Sequence, residues 1–599
     1  MSENRIKENM HNLNNDAIHK FYNVCKKTLF PLCLILFALL KVDKGVDLMD
    51  STYSLGNFEF LPEANGVWFL LTFISNVTGF LFTLLPFGTT MLGMKVYTSL
   101  VIAALGIVGY RFFMTKMPSW LAFIAELAAI GLCWCPSVIL YHYLTYFFLT
   151  LGAVLLFRAL AGGKNRCLVF AGISLGINAF VRFPNNGLEV LLILALVYYQ
   201  AINHMPAKDT FKKIGLCVAG YIGTFAIILT CMSFIYGPDT FLRLIEGVSG
   251  ISGSASDYTL GAMLLSILKA YWAGAKWAFI MLLCMMVGIP FFAIFENRFM
   301  LLRKIVYVLC IAFLFVVLWR RFGMFNFKYY QKESALQWGA VFLLLSIGMN
   351  IYMLFSKRIN NDWKLIGCIS LIIILITPLG SNNYIWPVLN NLFIVLPVTV
   401  WMVYKFVRWG RRFLDVTGKV PVFSVKAMMA AVVLMFLIQC LGVGAFYVFR
   451  DGEDGTPLSA GITDNPVLKG MHTTAANADN IDSLSRYFSR DDSKYRGRGI
   501  IQFGDIPGVS YILNMPPALN TSWPDLDSNP ISDMKDAVSA IDGSNSKTRP
   551  VVILSREAGE AMKTQDFSEF GEKIKLIDDY IDKYGYEVSF INDGFVVYE

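Results

Sequence analysis

Long apolar runs separated by short polar connectors dominate the first 450 residues. "IVYVLCIAFLFVVLW" and "AMMAAVVLMFLIQCLGVGAFYVF" are examples, and such runs suit the ~30 Å hydrocarbon core of a bilayer. Read this way, the pattern predicts thirteen spans, near 28–40, 92–113, 119–135, 138–157, 167–181, 187–202, 213–236, 273–295, 304–319, 335–355, 364–378, 388–406 and 426–449. The stretch 66–87, "GVWFLLTFISNVTGFLFTLLPF", is apolar too and is either a further span or a helix lying at the outer surface.

After residue 450 the pattern changes. "GIIQFG" and "RPVVILS" are short β-branched runs bounded by Gly, Asp and Pro, as strands are. "FGEKIKLIDDYIDKYG" places Phe570, Ile574, Ile577 and Ile581 at helical spacing, with Gly585 as the stop. "YEVSFINDGFVVYE" reads as a terminal hairpin around Asn592-Asp593-Gly594. The expected fold class is an α-helical polytopic membrane protein with a C-terminal α/β domain. Residues 1–27 form a polar leader, 28–450 the membrane domain with a long loop at 41–91, and 451–599 the α/β domain.

Composition agrees. The chain has 599 residues, 56% hydrophobic and 16% charged, against about a quarter charged in soluble domains. The net charge of +8 hides an asymmetry: residues 451–599 hold 25 acidic and 14 basic side chains, residues 1–450 hold 18 and 37. Basic loops fit orientation by the positive-inside rule, so no nucleic-acid partner is needed. With thirteen spans, one set of alternate loops carries about 25 Lys and Arg and the other about 11. The rich set is cytoplasmic, as is the N-terminus. Loop 41–91 and the tail are then extracytoplasmic. A span at 66–87 would turn every later basic loop outward, so that stretch is read as interfacial.

All eleven Cys precede the tail, which therefore has no disulfide. Cys133 and Cys135 form a C-x-C without a second ligand pair, too little for a zinc site. The leader "MSENRIKENMHNLNNDAIHK" does not read as a cleavable signal. "GGK" at 162–164 lacks phosphate-loop spacing, so nothing points to a cytosolic nucleotide-sugar.

Chemistry is sought first in "KGVDLMDSTYSLGNFEF", residues 44–60, where Asp47 and Asp50 follow the first span. The pair is either a solvated acidic junction or an acid pair at the mouth of a membrane cavity. The loop it opens runs about fifty residues, and long ordered loops are usually functional. Glu126 lies inside the third span, where a carboxylate is costly. Tyr141 and His142 lie near the outer end of the fourth span. "GSNNYIW" is a polar outer turn, in which Asn382 and Asn383 serve either turn geometry or substrate. Tyr511, Trp523 and Phe503 are read as tail core, with sugar stacking as the alternative.

A long first external loop opening on an acidic residue resembles the GT-C superfamily of membrane glycosyltransferases, which includes protein O-mannosyltransferases, lipid A aminoarabinose transferases and oligosaccharyltransferase catalytic subunits. "DSTYSLGNF", "LYHYLTYFFLTLGAVLLFRAL", "GINAFVRFPN", "TPLGSNNYIWPVLNN" and "FGDIPGVSYILNMPPALNTSWPDLDS" are similar to an uncharacterised bacterial branch of it. The layout is similar to the oligosaccharyltransferase type, but the sequon-reading "WWD" motif is missing, which argues against an asparagine-directed enzyme. The resemblance implies an inverting enzyme of the bacterial plasma membrane. Its donor would be a sugar on a polyprenyl phosphate or diphosphate. Its acceptor would be a cell-envelope glycan, teichoic-acid-like polymer or glycolipid. It also implies that a loop carboxylate acts as general base. By position Asp50 matches that base, with Asp47 second. The leaving phosphate needs fixed cations: Arg182 first, then Arg320, Arg321 and Lys328. Glu126, Tyr141, His142, Asn382 and Asn383 are possible substrate contacts.

Two Asp could hold Mg²⁺ or Mn²⁺, although an activated hydroxyl does not require a metal. Some GT-C enzymes place a second acid near the fourth span, and here none lies between Pro136 and Thr145. The competing class is a transporter or flippase for a lipid-linked or anionic substrate. A scaffold presenting the tail is a third reading.

Overall fold

The structure, a computed structural model, describes residues 20–599 apart from 62–66, 134–137, 254–258, 294–298, 415–420, 520, 527–528, 544–548 and 564–567. Cys135 of the C-x-C and most of the polar leader lie outside the described residues. The ten described cysteines are all free.

Each of the thirteen predicted spans overlaps helix among the described residues, but 388–406 meets two, Trp386–Asn390 and Val395–Leu414, and 187–202 runs through a 3-10 stretch, Asn185–Leu192, into Ile193–Ile202. Among the described residues nine helices are long and apolar enough to cross a membrane: Lys20–Ala38, Met91–Phe113, Leu140–Ala161, Asn185–Ile202, Ala207–Tyr236, Leu260–Ala293, Met300–Phe322, Ala335–Phe355 and Phe423–Phe446. Ser119–Gly131, Arg166–Ala179 and Asn361–Ile376 are shorter, and Val395–Leu414 is interrupted at Trp409. The stretch 66–87 is broken in two at Thr72, giving Val67–Leu71 and Phe73–Thr83. Eleven helical residues reach about 16 Å, roughly half the apolar core. Leu81, Leu84, Leu85 and Phe87, at the end of the second piece and just beyond it, are exposed.

Close approach between the spans comes from small residues, as is usual in membranes. Gly131 of the third span and Gly444 of the last touch backbone to backbone: a Cβ on Gly131 would lie 2.4 Å from the Cys440 carbonyl. Gly172 and Gly220 make the same kind of seam between Arg166–Ala179 and Ala207–Tyr236.

The tail opens with a two-residue ladder, β1 (Ala460–Gly461) on β2 (His472–Thr473). A four-stranded sheet follows: β3 (Ile500–Phe503), β4 (Val551–Ser555), β5 (Val588–Ile591) and β6 (Phe595–Tyr598), in the order β3-β4-β6-β5. The β3–β4 pair is parallel and the other two are antiparallel, so the terminal hairpin forms where expected. Asn592 shapes its turn by accepting from the Gly594 and Phe595 amides, at 2.9 and 2.7 Å. The helix Glu569–Tyr584 buries Ile574, Ile577 and Ile581 and ends at Gly585 in the left-handed region. Phe570, expected on the same stripe, is 37% exposed in the first turn, with its ring 5.3 Å from Phe503.

The tail is seated on the first long loop. A short helix, Asp50–Glu59, forms in that loop, and tail residues around Gly508 and Trp523 pack against its start. Gly508 donates to the Leu48 carbonyl at 3.1 Å, Tyr53 meets Trp523 edge-on at 5.5 Å, and Tyr511 donates to the Thr89 carbonyl at 3.1 Å. Tyr511 and Trp523 are buried in this packing, and Phe503 is buried in the tail's own core against β4 and the helix Glu569–Tyr584, so all three are core. A Cβ on Gly508 would fall 1.9 Å from the Thr52 hydroxyl. Gly508→Ala is therefore expected to lower stability by about 1–3 kcal/mol, as overpacking does, read as a lower thermal midpoint of the purified chain. An unchanged midpoint would mean that the tail does not rest on the loop through this contact.

Candidate functional site

Residues 44–47 are clamped from two sides. From below, Lys95 of the second span donates to the Lys44 and Gly45 carbonyls at 2.5 and 3.3 Å. From the tail side, Asp451 accepts from the Val46 amide at 2.9 Å and from the Thr473 hydroxyl at 2.6 Å. Gly45 supplies the turn, at φ +83°, and its missing Cβ leaves room for Val448.

Asp47 then starts the loop helix. It is buried, one oxygen accepting from the Met49 amide at 3.0 Å, the other from the Ser51 amide and hydroxyl at 2.8 and 2.9 Å. Burial raises its carboxyl above the usual range, and these hydrogen bonds pull it partly back. The residue works as a helix-starting carboxylate, the role Asp plays at N-caps.

Asp50 is the first residue of the helix, where the helix dipole favours an anion. Its side chain is 31% exposed, with Arg450 Nη1 at 3.2 Å from Oδ2. Burial raises the carboxyl to about 6; Arg450 and Lys332 oppose the rise, and Asp47 and Asp505 add to it. Of these charges Arg450, from the end of the last span, touches Asp50 directly, while those of Asp47, Lys332 and Asp505 act on it through space. Arg450 is fixed in turn by its amide, which donates to Glu453 at 3.1 Å, and its backbone is left-handed at φ +51°.

Arg182 belongs to a second cluster. Its guanidinium lies 5.5 Å from the centre of the Tyr141 ring. It lines a cavity of about 20 Å³ with His142, Thr145, Asn186 and Glu189. His142 Nδ1 is 3.3 Å from the Tyr146 hydroxyl. Asn186 donates to the Thr145 hydroxyl at 2.7 Å, and Asn178 donates to buried Glu189. Asn185 ties the cluster to the 380 turn by donating to the Gly380 carbonyl at 2.7 Å. In that turn Asn383 is exposed and donates to Ser381 Oγ at 2.9 Å, while Asn382 is half-buried.

The structure therefore brings Arg182, Tyr141 and His142 together, and separately Asp47 and Asp50. Arg320, Arg321 and Lys328 stand exposed at and beyond the C-terminal end of Met300–Phe322, with Arg320 over the Trp319 ring. Glu126 is fully buried against Gly109, and neither oxygen has a hydrogen-bond partner among the described residues.

The residues around Asp50 do not make a divalent-cation site. Both Asp47 oxygens are taken by the loop's own donors, Asp50 faces a guanidinium, and no group of three or more metal-ligating side chains gathers among the described residues. Sequence reading missed Arg450, Lys332, Asp451, Lys95 and Glu189. Arg450 carries the same signal as Arg182, a cation at the end of an apolar run, and Lys95 and Glu189 are single charges inside such runs.

The fold is similar to solved oligosaccharyltransferases. Against the archaeal oligosaccharyltransferase AglB from Archaeoglobus fulgidus, in complex with an inhibitory peptide and a dolichol-phosphate, the TM-score is 0.49 at 12% identity, covering 93% of this chain and 72% of that one. The apo form of the Archaeoglobus fulgidus oligosaccharyltransferase gives 0.45 at 13% identity, over 95% and 74%. ArnT from Cupriavidus metallidurans bound to undecaprenyl phosphate gives 0.39 at 12% identity, over 95% and 97%. No family model and no curated relative matches the chain.

Proposed function

We propose that this chain is an inverting membrane glycosyltransferase. It moves a sugar from a polyprenyl-phosphate-linked donor to a cell-envelope acceptor on the outer face of a bacterial plasma membrane, with Asp50 as general base. The observation that carries this reading is the Asp50 carboxyl: one-third exposed, raised to about 6, and held at the head of a loop helix beside a fixed cation. A base poised near neutrality deprotonates a hydroxyl more effectively than an ordinary carboxylate. The outer placement of loop and tail rests on the distribution of basic loops.

In an inverting displacement the base and the leaving group lie on opposite faces of the sugar ring. A cation touching Asp50 is therefore badly placed for the leaving phosphate. Arg450 instead orients the carboxylate and keeps part of it ionised. Arg182, stacked on Tyr141 and facing a polar cavity, is the cation proposed to meet the phosphate, with His142, Asn382 and Asn383 as neighbouring polar groups. Arg320, Arg321 and Lys328 are left to electrostatic attraction of the anionic donor. Asp50 takes the acceptor hydroxyl proton, the acceptor oxygen bonds to the anomeric carbon, and the carbon–oxygen bond to the lipid phosphate breaks.

The second reading is transport of a lipid-linked or anionic substrate. Two carboxylates at membrane depth, Glu126 and Glu189, favour it, because such groups often line ion or substrate paths. One assay separates the two: purified chain in sealed vesicles with a radiolabelled polyprenyl-phosphate hexose and envelope glycan as acceptor. Transfer predicts label leaving the lipid for a water-soluble or glycolipid product. Label that crosses the bilayer still attached to its lipid would sink the transferase reading.

A further inference from the structure

We propose that one end of the tail's four-stranded sheet, where Arg496, Arg498 and Arg549 gather beside tyrosine rings, is a docking surface for an anionic polymer of the cell envelope, a chain of phosphodiester-linked units. The proposal rests on the outer placement of the tail given above. It does not rest on the transfer reaction.

Strand register puts these residues together. β3 and β4 run parallel with Ile500 opposite Val551. Arg498 and Arg549 each stand two residues before that pair, so they leave the same end of the sheet. The other end of β3 leads to Gly508 and its contact with the long loop. The arginines therefore sit at the opposite end of the sheet from that contact. Arg498 Nε donates to the Arg549 carbonyl at 2.8 Å. The Arg549 guanidinium lies 3.9 Å from the centre of the Tyr584 ring, and that of Arg498 lies 5.9 Å from the centre of the Tyr495 ring. Arg496 precedes Arg498 across Gly497, a turn at φ +78°, and both Arg496 and Arg549 are exposed.

The tail is acidic, with 25 acidic and 14 basic side chains, yet these three arginines stay unpaired. Among the described residues none of them has a carboxylate within salt-bridge distance. Two acids at this end are already engaged. Glu599 accepts from Lys494 and from the Tyr495 hydroxyl, and Asp542 accepts from Lys583 and the Tyr584 hydroxyl at 2.9 and 2.8 Å. Asp542 also faces Arg549 through space. Glu587 is exposed at the β5 side of this end, two strands from β4. Neighbouring cations without a counter-ion repel one another, and a bound polyanion relieves that repulsion. An arginine stacked on an aromatic face keeps its edge donors free, and their planar fork matches phosphate oxygens. A chain of repeated phosphates reaches several of these cations at once, which a single phosphate cannot do.

The test measures binding of short poly(glycerol phosphate) to the full-length chain in detergent. Affinity is expected to fall about tenfold or more between roughly 50 and 200 mM salt, as for contacts to about three phosphates. Arg498→Gln and Arg549→Gln are each expected to weaken binding about tenfold. Arg496 makes no side-chain contact among the described residues, so Arg496→Gln should weaken binding with the thermal midpoint unchanged. Arg486→Gln removes a cation already paired with Asp464 at 3.2 Å and should bind as the wild type does. Asp50→Asn should also bind the polymer normally, whether or not transfer is lost, which separates this binding from the transferase reading. Wild-type affinity in all three of Arg496→Gln, Arg498→Gln and Arg549→Gln would overturn the site. Neutral dextran binding as tightly as the polymer would overturn the anionic assignment. Single-stranded DNA of equal charge binding more tightly than the polymer would overturn the envelope assignment.

Discussion

Asp50→Asn is expected to lower the rate of glycosyl transfer by about 10²–10⁴-fold, the range a general base contributes. Asn has nearly the same shape but cannot take the acceptor's proton. The substitution removes one partly exposed ion pair, Arg450 to Asp50, and such pairs contribute about 0–1 kcal/mol. Folding should therefore be nearly untouched, and a thermal midpoint within a few degrees of wild type checks that. The loss should fall on kcat more than on KM, because the proton leaves only in the transition state. Turnover within tenfold of wild type would remove Asp50 from the chemistry.

Asp47→Ala is expected to act through the fold. It strips acceptors from the Met49 and Ser51 amides and from the Ser51 hydroxyl. Unsatisfied buried donors cost about 1–3 kcal/mol each, so the loop helix should lose roughly 3 kcal/mol of support. The readouts are a lower thermal midpoint and faster proteolysis within residues 44–60. Asp47→Asn, which keeps an accepting oxygen, should recover most of the stability and hold turnover within about tenfold of wild type. If Asp47→Asn instead abolished turnover with the fold intact, Asp47 would be the base and the division of labour between the two acids would be reversed.

The membrane helices and the tail's strands were legible because hydrophobic length and strand-type runs are local signals. "RPVVILS" became β4, and "FGEKIKLIDDYIDKYG" became a helix with a glycine stop. The clamp on residues 44–47 was not legible, since Lys95, Asp451 and Thr473 come from distant parts of the chain. The same holds for Arg450, which lies 400 residues from Asp50 in the sequence and reads on its own as an interfacial cation. Within the quoted tail stretch, Gly508, Tyr511 and Trp523 acquired a physical meaning only in three dimensions: they rest on Leu48, Thr89 and Tyr53 of the long loop. Asp47 and Asp50 look alike at three-residue spacing. Only the hydrogen bonds separate the helix-starting acid from the one left partly open to solvent.

The central claim is that Asp50 works as a base with a raised carboxyl. Ionised Asp50 is the active form, so activity should be full above its value and should fall as the pH drops through it. The pH dependence of kcat/KM for the wild-type chain tests this most directly. The account predicts an acid limb with its midpoint near 6, falling about tenfold per pH unit below it, and absent from the residual activity of Asp50→Asn. A rate that stays flat down to pH 4.5, or an acid limb that persists unchanged in Asp50→Asn, would contradict it.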